Sequence, residues 1–287
     1  MADTDREADL RKEFIDTAVK AVVKIEEKWK ALCAVDSSSA WTESYFRETN
    51  DDSTDGGTGS PIRGVPQYAP FPFFDVTETK VSSVIQKYAG ESIISLEAQQ
   101  NATVPMLQRK IYRLGRKLVY QVDVAIEAGV NSNAGNTSAI SAGNEWDSAT
   151  IANRDPIKDI LDAIQTLRVD GIDALTGNGY LVVNGTDYTN IISNTKVLNH
   201  PTYESGVMQN GQVGKLLGLT IVVSETTTAD QAYVLVARQG MVWKQAEPLK
   251  VKTIVDEGKS TTIRAWERGV FQLQAPNEVC KITNTRA

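Results

Sequence analysis

Few side chains in this sequence stand in patterns that chemistry would need. Histidine occurs once, as His200 in "LNHPTY". A zinc site needs three or four nitrogen or sulfur ligands, and a nucleophilic triad needs an imidazole held by a third group. A lone histidine beside proline reads as a surface or internally satisfied side chain. Cys33 and Cys280 sit near opposite ends of a chain whose first residues, "MADTDREADLRKEF", resemble no signal or transit peptide. They read as buried free thiols rather than a disulfide. Asp51, Ser53, Asp55 and Gly56 match the first half of a calcium loop. The twelfth position, which should supply a bidentate Glu, is Ile62, so a solvated acidic tip is the better reading. "GNGYLVVNG" and "GVMQNGQVG" carry glycines but neither forms GxGxxG, and no GxxxxGK[ST] occurs. Asn101, Asn136 and Asn184 head formal glycosylation sequons, which matter only in a secreted chain. No catalytic, cofactor or metal site is expected.

One charged cluster remains. Arg109, Lys110, Arg113, Arg116 and Lys117 load a single helical segment with positive charge. Nucleic acid is one reading. A solvated or salt-bridged helix face is the other, and the missing aromatic interleaving and wider basic surface favour it. The whole chain of 287 residues has a net charge of −6 and a pI near 5.1, which is not the balance of a dedicated nucleic-acid binder. A protein that merely encloses nucleic acid need not grip it. No apolar run approaches the ~18 residues of a membrane span, so a soluble, intracellular product without a membrane partner is expected.

The elements that carry these residues are unusually long. From Thr4 to about Ala34, Leu10, Phe14, Ala18, Ala21, Ile25, Trp29 and Leu32 recur at steps of three and four, predicting a helix with one apolar stripe. That stripe must lie on its own domain, on a neighbouring chain or on a coiled-coil partner. "AWTESYFRET" and "FFDVTETKVSSVIQKYAGESIIS" have strand character and frame the polar stretch "NDDSTDGGTGSPIRG". They predict a long hairpin with that stretch, Asn50–Gly64, at its apex, marginal unless it leans on something else. Ala102 to Ala128 predicts the strongest helix. Thr103 caps it, Pro105 sits in its first turn, Gly129 is its C-cap, and Val104, Leu107, Ile111, Leu114, Leu118, Val122 and Ala125 form its buried stripe. "NSNAGNTSAISAG" reads as a linker and boundary. "DPIKDILDAIQTLR" predicts a helix capped by Asp155, with Ile157, Ile160, Leu161, Ile164 and Leu167 facing inward. Short strands follow at "YLVVNG", "GLTIVVSE" and "AYVLVAR", and "DEGK" marks a turn between two longer strands. Helices and strands mix without a βαβ beat, which makes the class α+β.

The order of these parts resembles the major capsid proteins of tailed double-stranded DNA phages, the Johnson fold first seen in a Hong Kong coliphage. "IISLEAQQNATVPMLQRKIYRLGRKLVYQVDVAIEAG" is similar to the family's entry into its spine helix, with Ser95, Glu97, Asp123, Ala125, Ile126 and Gly129 at the motif positions. "GKLLGLTIVVSE" resembles a second motif, with Gly218, Val222 and Ser224 in place and Thr220 where proline is common. "TTIRAWERGVFQLQAPNEVCKIT" resembles the closing strands, with Arg264, Arg268 and Pro276 fitting and Glu278 where a small residue is usual.

The resemblance implies an N-terminal arm helix over 1–38 and an E-loop hairpin over 39–80. It implies a peripheral domain over 81–143 and 247–275 with the spine helix 102–128, and an axial domain over 144–246 and 276–287. It implies a structural, non-enzymatic protein whose copies form pentamers and hexamers of an icosahedral shell around double-stranded DNA. Scaffolding, portal and decoration proteins are the implied partners, in a virion assembled in the host cytoplasm. Implied inter-subunit contacts are Trp41, Tyr45, Phe46, Arg63, Tyr68, Phe71 and Phe73 on the E-loop, and Phe14, Ile25 and Trp29 on the arm. Arg109, Arg113, Glu267 and Arg268 are the implied inter-subunit charge pairs. Some relatives crosslink through an E-loop lysine, but Asn50 to Pro66 contains none, so no covalent chainmail is expected. The hairpin begins within about forty residues of Met1, so a cleaved scaffolding segment is not expected either. An encapsulin-type compartment shell, a tail or decoration protein, and a non-catalytic ligand-binding α+β protein are the rival readings.

Overall fold

The computed structural model describes residues 15, 17–24, 26–50, 66–70, 77–101, 106–198, 214–256 and 258–287. His200 and the half calcium loop at 51–62 lie outside these. Among the described residues, twelve strands and the helices between them form two sheets and a separate hairpin.

The first sheet has four strands in the order β1 (Ala34–Ser37), β10 (Met241–Asp256), β11 (Ser260–Leu273) and β4 (Gln86–Ser95). Its centre is the long antiparallel pair β10–β11, which turns through the "DEGK" stretch as expected, with Gly258 at φ +75°. Register shifts between Gln245 and Lys250 mark a bulged region in β10. The second sheet is mixed, in the order β5 (Asn136–Ala139), β12 (Val279–Thr283), β9 (Gln231–Val236), β6 (Gly179–Val183), β8 (Leu219–Val223) and β7 (Lys215–Leu216). The β7–β8 pair closes through Leu217 and Gly218, both at positive φ (53° and 86°). That is the turn whose twist suits a two-residue hairpin, and it accounts for the glycine of the second motif.

The second sheet is apolar on both faces. Tyr233 and Leu235 of β9 belong to one core, and Ala232, Val234 and Val236 to the other. Val279 and Cys280 of β12 divide the same way, as do Val182 and Leu181 of β6. Alternate side chains of one strand point to opposite faces, so each strand serves both cores and "AYVLVAR" reads as an unbroken apolar run. One core gathers the N-terminal helical residues, the long helix and the four-stranded sheet. The other lies under α4 (Pro156–Val169) and α5 (Gly185–Ser193).

Several expectations are met and several need correction. Asp155 caps α4 by accepting from the Lys158 N–H at 3.3 Å, with Pro156 in the first turn. Ile160, Ile164 and Leu167 are buried, but Leu161 faces solvent and Ala163 takes the inward place. In the N-terminal stripe Trp29 and Leu32 are buried and Ala18 packs against the core as read, but Ala21 is exposed and Ile15, Val19 and Val23 take the buried line. The helix breaks at residues 27–28, resumes as α1 (Trp29–Leu32) and gives way to β1 at Ala34. "NSNAGNTSAISAG" is no linker: its first residues finish the long helix, and Asn136–Ala139 pairs in parallel with β12 as an edge strand. Short polar edge strands carry little hydrophobic signal.

The long helix, α3 (Met106–Asn133), follows a short helix α2 (Leu96–Asn101) and runs past Gly129. Gly129 is therefore no C-cap. A Cβ there would stand 2.4 Å from the ring of Phe271, so glycine lets β11 approach the helix.

Candidate inter-subunit surfaces

The hairpin stands apart from both sheets. β2 (Thr42–Asn50) pairs antiparallel with β3 (Thr77–Val84) from Thr42 opposite Val84 to Asn50 opposite Thr77. It is tied to the subunit at a few points. The Glu48 N–H donates to the Gln274 carbonyl at 2.9 Å. Arg47 donates to Asn133 Oδ1 at 2.7 Å and to the Tyr45 hydroxyl at 2.9 Å. At the base, the Arg268 guanidinium lies 5.2 Å from the centre of the Trp41 ring, a cation–π contact between two residues the sequence singled out separately. Trp41 is still 73% exposed and Phe46 59% exposed. Tyr68 is fully exposed at φ 67°. Tyr45 is buried under Arg47, so it anchors the hairpin to its own subunit and is corrected from the contact set. Arg63, Phe71, Phe73, Phe14 and Ile25 lie outside the described residues.

Trp29 and Glu267 also require correction. Trp29 is fully buried and packs edge-on against Tyr233, with ring centres 5.4 Å apart. Glu267, 1% exposed, accepts from Lys30 Nζ at 2.5 Å, Trp243 Nε1 at 3.2 Å and Gln245 Nε2 at 3.4 Å. Neither offers surface to another copy. Strand alternation explains the split of "ER": Glu267 points into the core while its neighbour Arg268 points to the hairpin. The Lys30–Glu267 pair instead fixes the arm to β11. A buried ion pair adds little net stability, because desolvation offsets its attraction, but removing either partner leaves a costly uncompensated buried charge.

The arm has a second lock that composition did not reveal. Asp123 on α3 is 2% exposed and accepts the N–H groups of Lys28 at 3.1 Å and Lys30 at 3.2 Å. These donors sit at the break where a helix start leaves N–H groups unpaired. Burial pushes the Asp123 carboxyl up to about 6, against the pull of those hydrogen bonds. One turn on, Glu127 accepts the Thr228 N–H at 3.1 Å and the Tyr233 hydroxyl at 3.1 Å. Beside Glu48, near the far end of β2, burial likewise raises Glu278 to about 6; the Gly240 N–H opposes the shift and Glu48 adds to it.

The motif residues thus have structural work. Asp123 caps the arm, Ile126 is fully buried, and Gly129 admits Phe271. Ser95 Oγ accepts the Ala98 N–H at 3.3 Å at the start of α2. Among the described residues, no group of His, Cys, Asp or Glu has metal-site geometry. Nor, among these residues, is any helix long and apolar enough to cross a membrane. Arg109 and Arg113 lie exposed on one face of α3 with Arg116 and Lys117.

A twisted β10–β11 pair, a helix laid along it, a free hairpin and a doubly covered mixed sheet together define the tailed-phage capsid fold. Solved structures share it. The capsid of cyanophage P-SCSP1u is 14% identical with a TM-score of 0.65, over 90% of this chain and 88% of that one. Mycobacterium phage Che8 is 17% identical at 0.61, over 86% of each chain. A virus-like particle from Pyrococcus furiosus is 12% identical at 0.62, over 95% of this chain and 99% of that one. No curated protein matches the sequence. The phage capsid protein family model matches residues 78–282, and the chain belongs to that family. It is a structural protein of the virion capsid, a shell of many copies.

Proposed function

We propose that this chain is the subunit whose pentamers and hexamers close an icosahedral shell around packaged double-stranded DNA. The observation that carries this is the hairpin. Two strands alone are marginal in water, yet β2–β3 holds Trp41 and Phe46 exposed and meets its own subunit mainly through Arg47, Glu48 and Arg268. Laid over a neighbour, the same faces become buried. Summed interfaces per subunit then belong to the obligate class, upward of ~2,000 Å². The 81–143 and 247–275 segments with α3 act as the peripheral domain, and 144–246 with 276–287 as the axial domain that meets its copies around the ring centres. A separate scaffolding protein, a portal and a decoration protein complete the assembly, which is made in the host cytoplasm. The shell confines DNA without base-specific contacts, in keeping with the acidic chain.

Electron microscopy of the purified chain tests this. Closed icosahedral shells of headful size are expected, and soluble monomers refute it. Small shells loaded with protein cargo instead identify a compartment shell.

A further inference from the structure

The four-stranded sheet has two long edges, and only one of them is blunted. On the β10 side, β1 covers Val242–Gln245, and the strand beyond carries register shifts between Gln245 and Lys250 together with Pro248. A bulge and a proline keep an edge from pairing with another chain. β4 forms the other edge. It runs from Gln86 to Ser95 in unbroken register with β11 and contains no proline. Among the described residues no strand lies beyond it.

The register decides which groups this edge offers. The Leu96 N–H donates to the Lys259 carbonyl at 3.0 Å. Bonds to β11 therefore fall on the even-numbered residues of β4, and the N–H and C=O groups of Lys87, Ala89, Glu91 and Ile93 point away from the sheet. The Ile93 carbonyl agrees, since it accepts Lys110 Nζ of α3. The ladder at Lys87–Glu91 has a groove on either side. On the helix side the groove is about 350 Å³ and is floored by Leu114 and Leu118. On the opposite face it is about 330 Å³, beside Arg264 and Trp266. That outer face is cationic. Lys87 Nζ lies 5.9 Å from the centre of the Trp266 ring, and Lys252 stands opposite Arg264 in the sheet. Glu91, the one carboxylate of β4, is engaged by Arg264 at 2.9 Å.

A strand added to this ladder turns alternate side chains into the two grooves. We infer that the Lys87–Ile93 edge of β4 takes up an extended segment of a different protein as a fifth strand, apolar toward Leu114 and Leu118 and acidic toward Lys87, Lys252 and Arg264. The chain has no such segment outside its described residues. Residues 1–14 space Leu10 and Phe14 for a helix, 51–65 and 199–213 are broken by glycines and a proline, and 71–76 is interrupted by Pro72. None alternates apolar with acidic residues.

The test uses dissociated full-length subunits, so that the outcome does not hang on shell closure, and a fluorescent ten-residue peptide of alternating valine and glutamate. Saturable binding is expected, with hydrogen exchange slowed at the amides of Lys87, Ala89 and Glu91. Two N-methylated peptides separate strand addition from adhesion, one methylated on the glutamate amides and one on the valine amides, because only one set can face β4. One of them should bind about tenfold more weakly, and the other nearly as well as the unmodified peptide. Ala89→Pro, which removes an N–H that β11 does not use, should weaken binding by a similar factor. Absence of binding, equal binding of the two N-methylated peptides, equal binding of a valine–lysine peptide, or protection elsewhere overturns the proposal. Slow exchange of the same three amides in shells of the chain alone assigns the edge to a second copy and overturns it as well.

Discussion

Asp123 joins two parts of the chain that sequence patterns treat separately, the arm and the long helix. Its carboxylate is buried and accepts the backbone N–H groups of Lys28 and Lys30, while the Lys30 ammonium is engaged by Glu267. Desolvation therefore wins, and the carboxyl titrates near 6 rather than the ordinary 3.8. A raised carboxyl binds its proton more tightly in the folded chain than in the unfolded one. Its contribution is thus fully present below about pH 4 and lost as pH rises through about 6. Glu278, also near 6, acts in the same sense beside Glu48 of β2. Urea midpoints of the dissociated subunit should rise between pH 7 and pH 5 on account of these two groups. Asp123→Asn should flatten part of that rise, and Asp123→Asn with Glu278→Gln should flatten more. An unchanged slope in the double variant would show that neither group titrates in this window.

At the level of elements, the legible parts were those in which local and tertiary forces agree. α4 has its Asp155 cap, its Pro156 start and a clean apolar period, and it folds nearly as read. β2 and β3 pair as their strand character implied. What failed depended on neighbours out of sequence reach. Thr137 and Ser138 form a strand only because β12 offers an edge. The upper part of the arm stripe was misplaced because Ala18 and Ala21 satisfy the helical period as well as Val19 and Val23 do. For the contact surfaces, the hairpin and the basic helix face were legible as unusual. The inward turn of Trp29 and Glu267 was not, since an aromatic or a charge in sequence does not announce which face it takes. Gly129 shows the same limit, because a glycine near a helix end reads as a stop signal until Phe271 is placed beside it. Gly129→Ala would gain roughly 0.8–1.0 kcal/mol of helix propensity. The 2.4 Å approach of Phe271 makes overpacking, about 1–3 kcal/mol, the larger effect. The variant should melt at a lower temperature, and Phe271→Leu in the same chain should recover part of the loss. Unchanged or raised melting of Gly129→Ala alone would mean that the ring moves aside freely.

For the whole molecule, the two cores and the hairpin make different demands on assembly. The cores are closed by the chain itself: the second sheet is covered on both faces, and the arm is held by Lys30, Asp123 and Trp29. A subunit built this way needs no neighbour to fold. The hairpin contributes little to either core and leaves Trp41 and Phe46 exposed. Folding and assembly should therefore separate under a change confined to the connection between β2 and β3. Deleting Asp51–Ser60 removes three of the chain's carboxylates and leaves every described core residue in place. Circular dichroism and the urea midpoint of the dissociated subunit should stay near those of the intact chain. Closed shells should become scarce in electron micrographs, replaced by unclosed sheets or free capsomers. Denaturing gels of shells from the intact chain should show only the monomer band, since no lysine lies between Asn50 and Pro66 to crosslink the hairpin. A deletion variant that unfolds would place the loop among the folding determinants. One that still closes normal shells would show that the reach between copies comes from the arms of the hairpin, Trp41 and Phe46 foremost, and not from its tip.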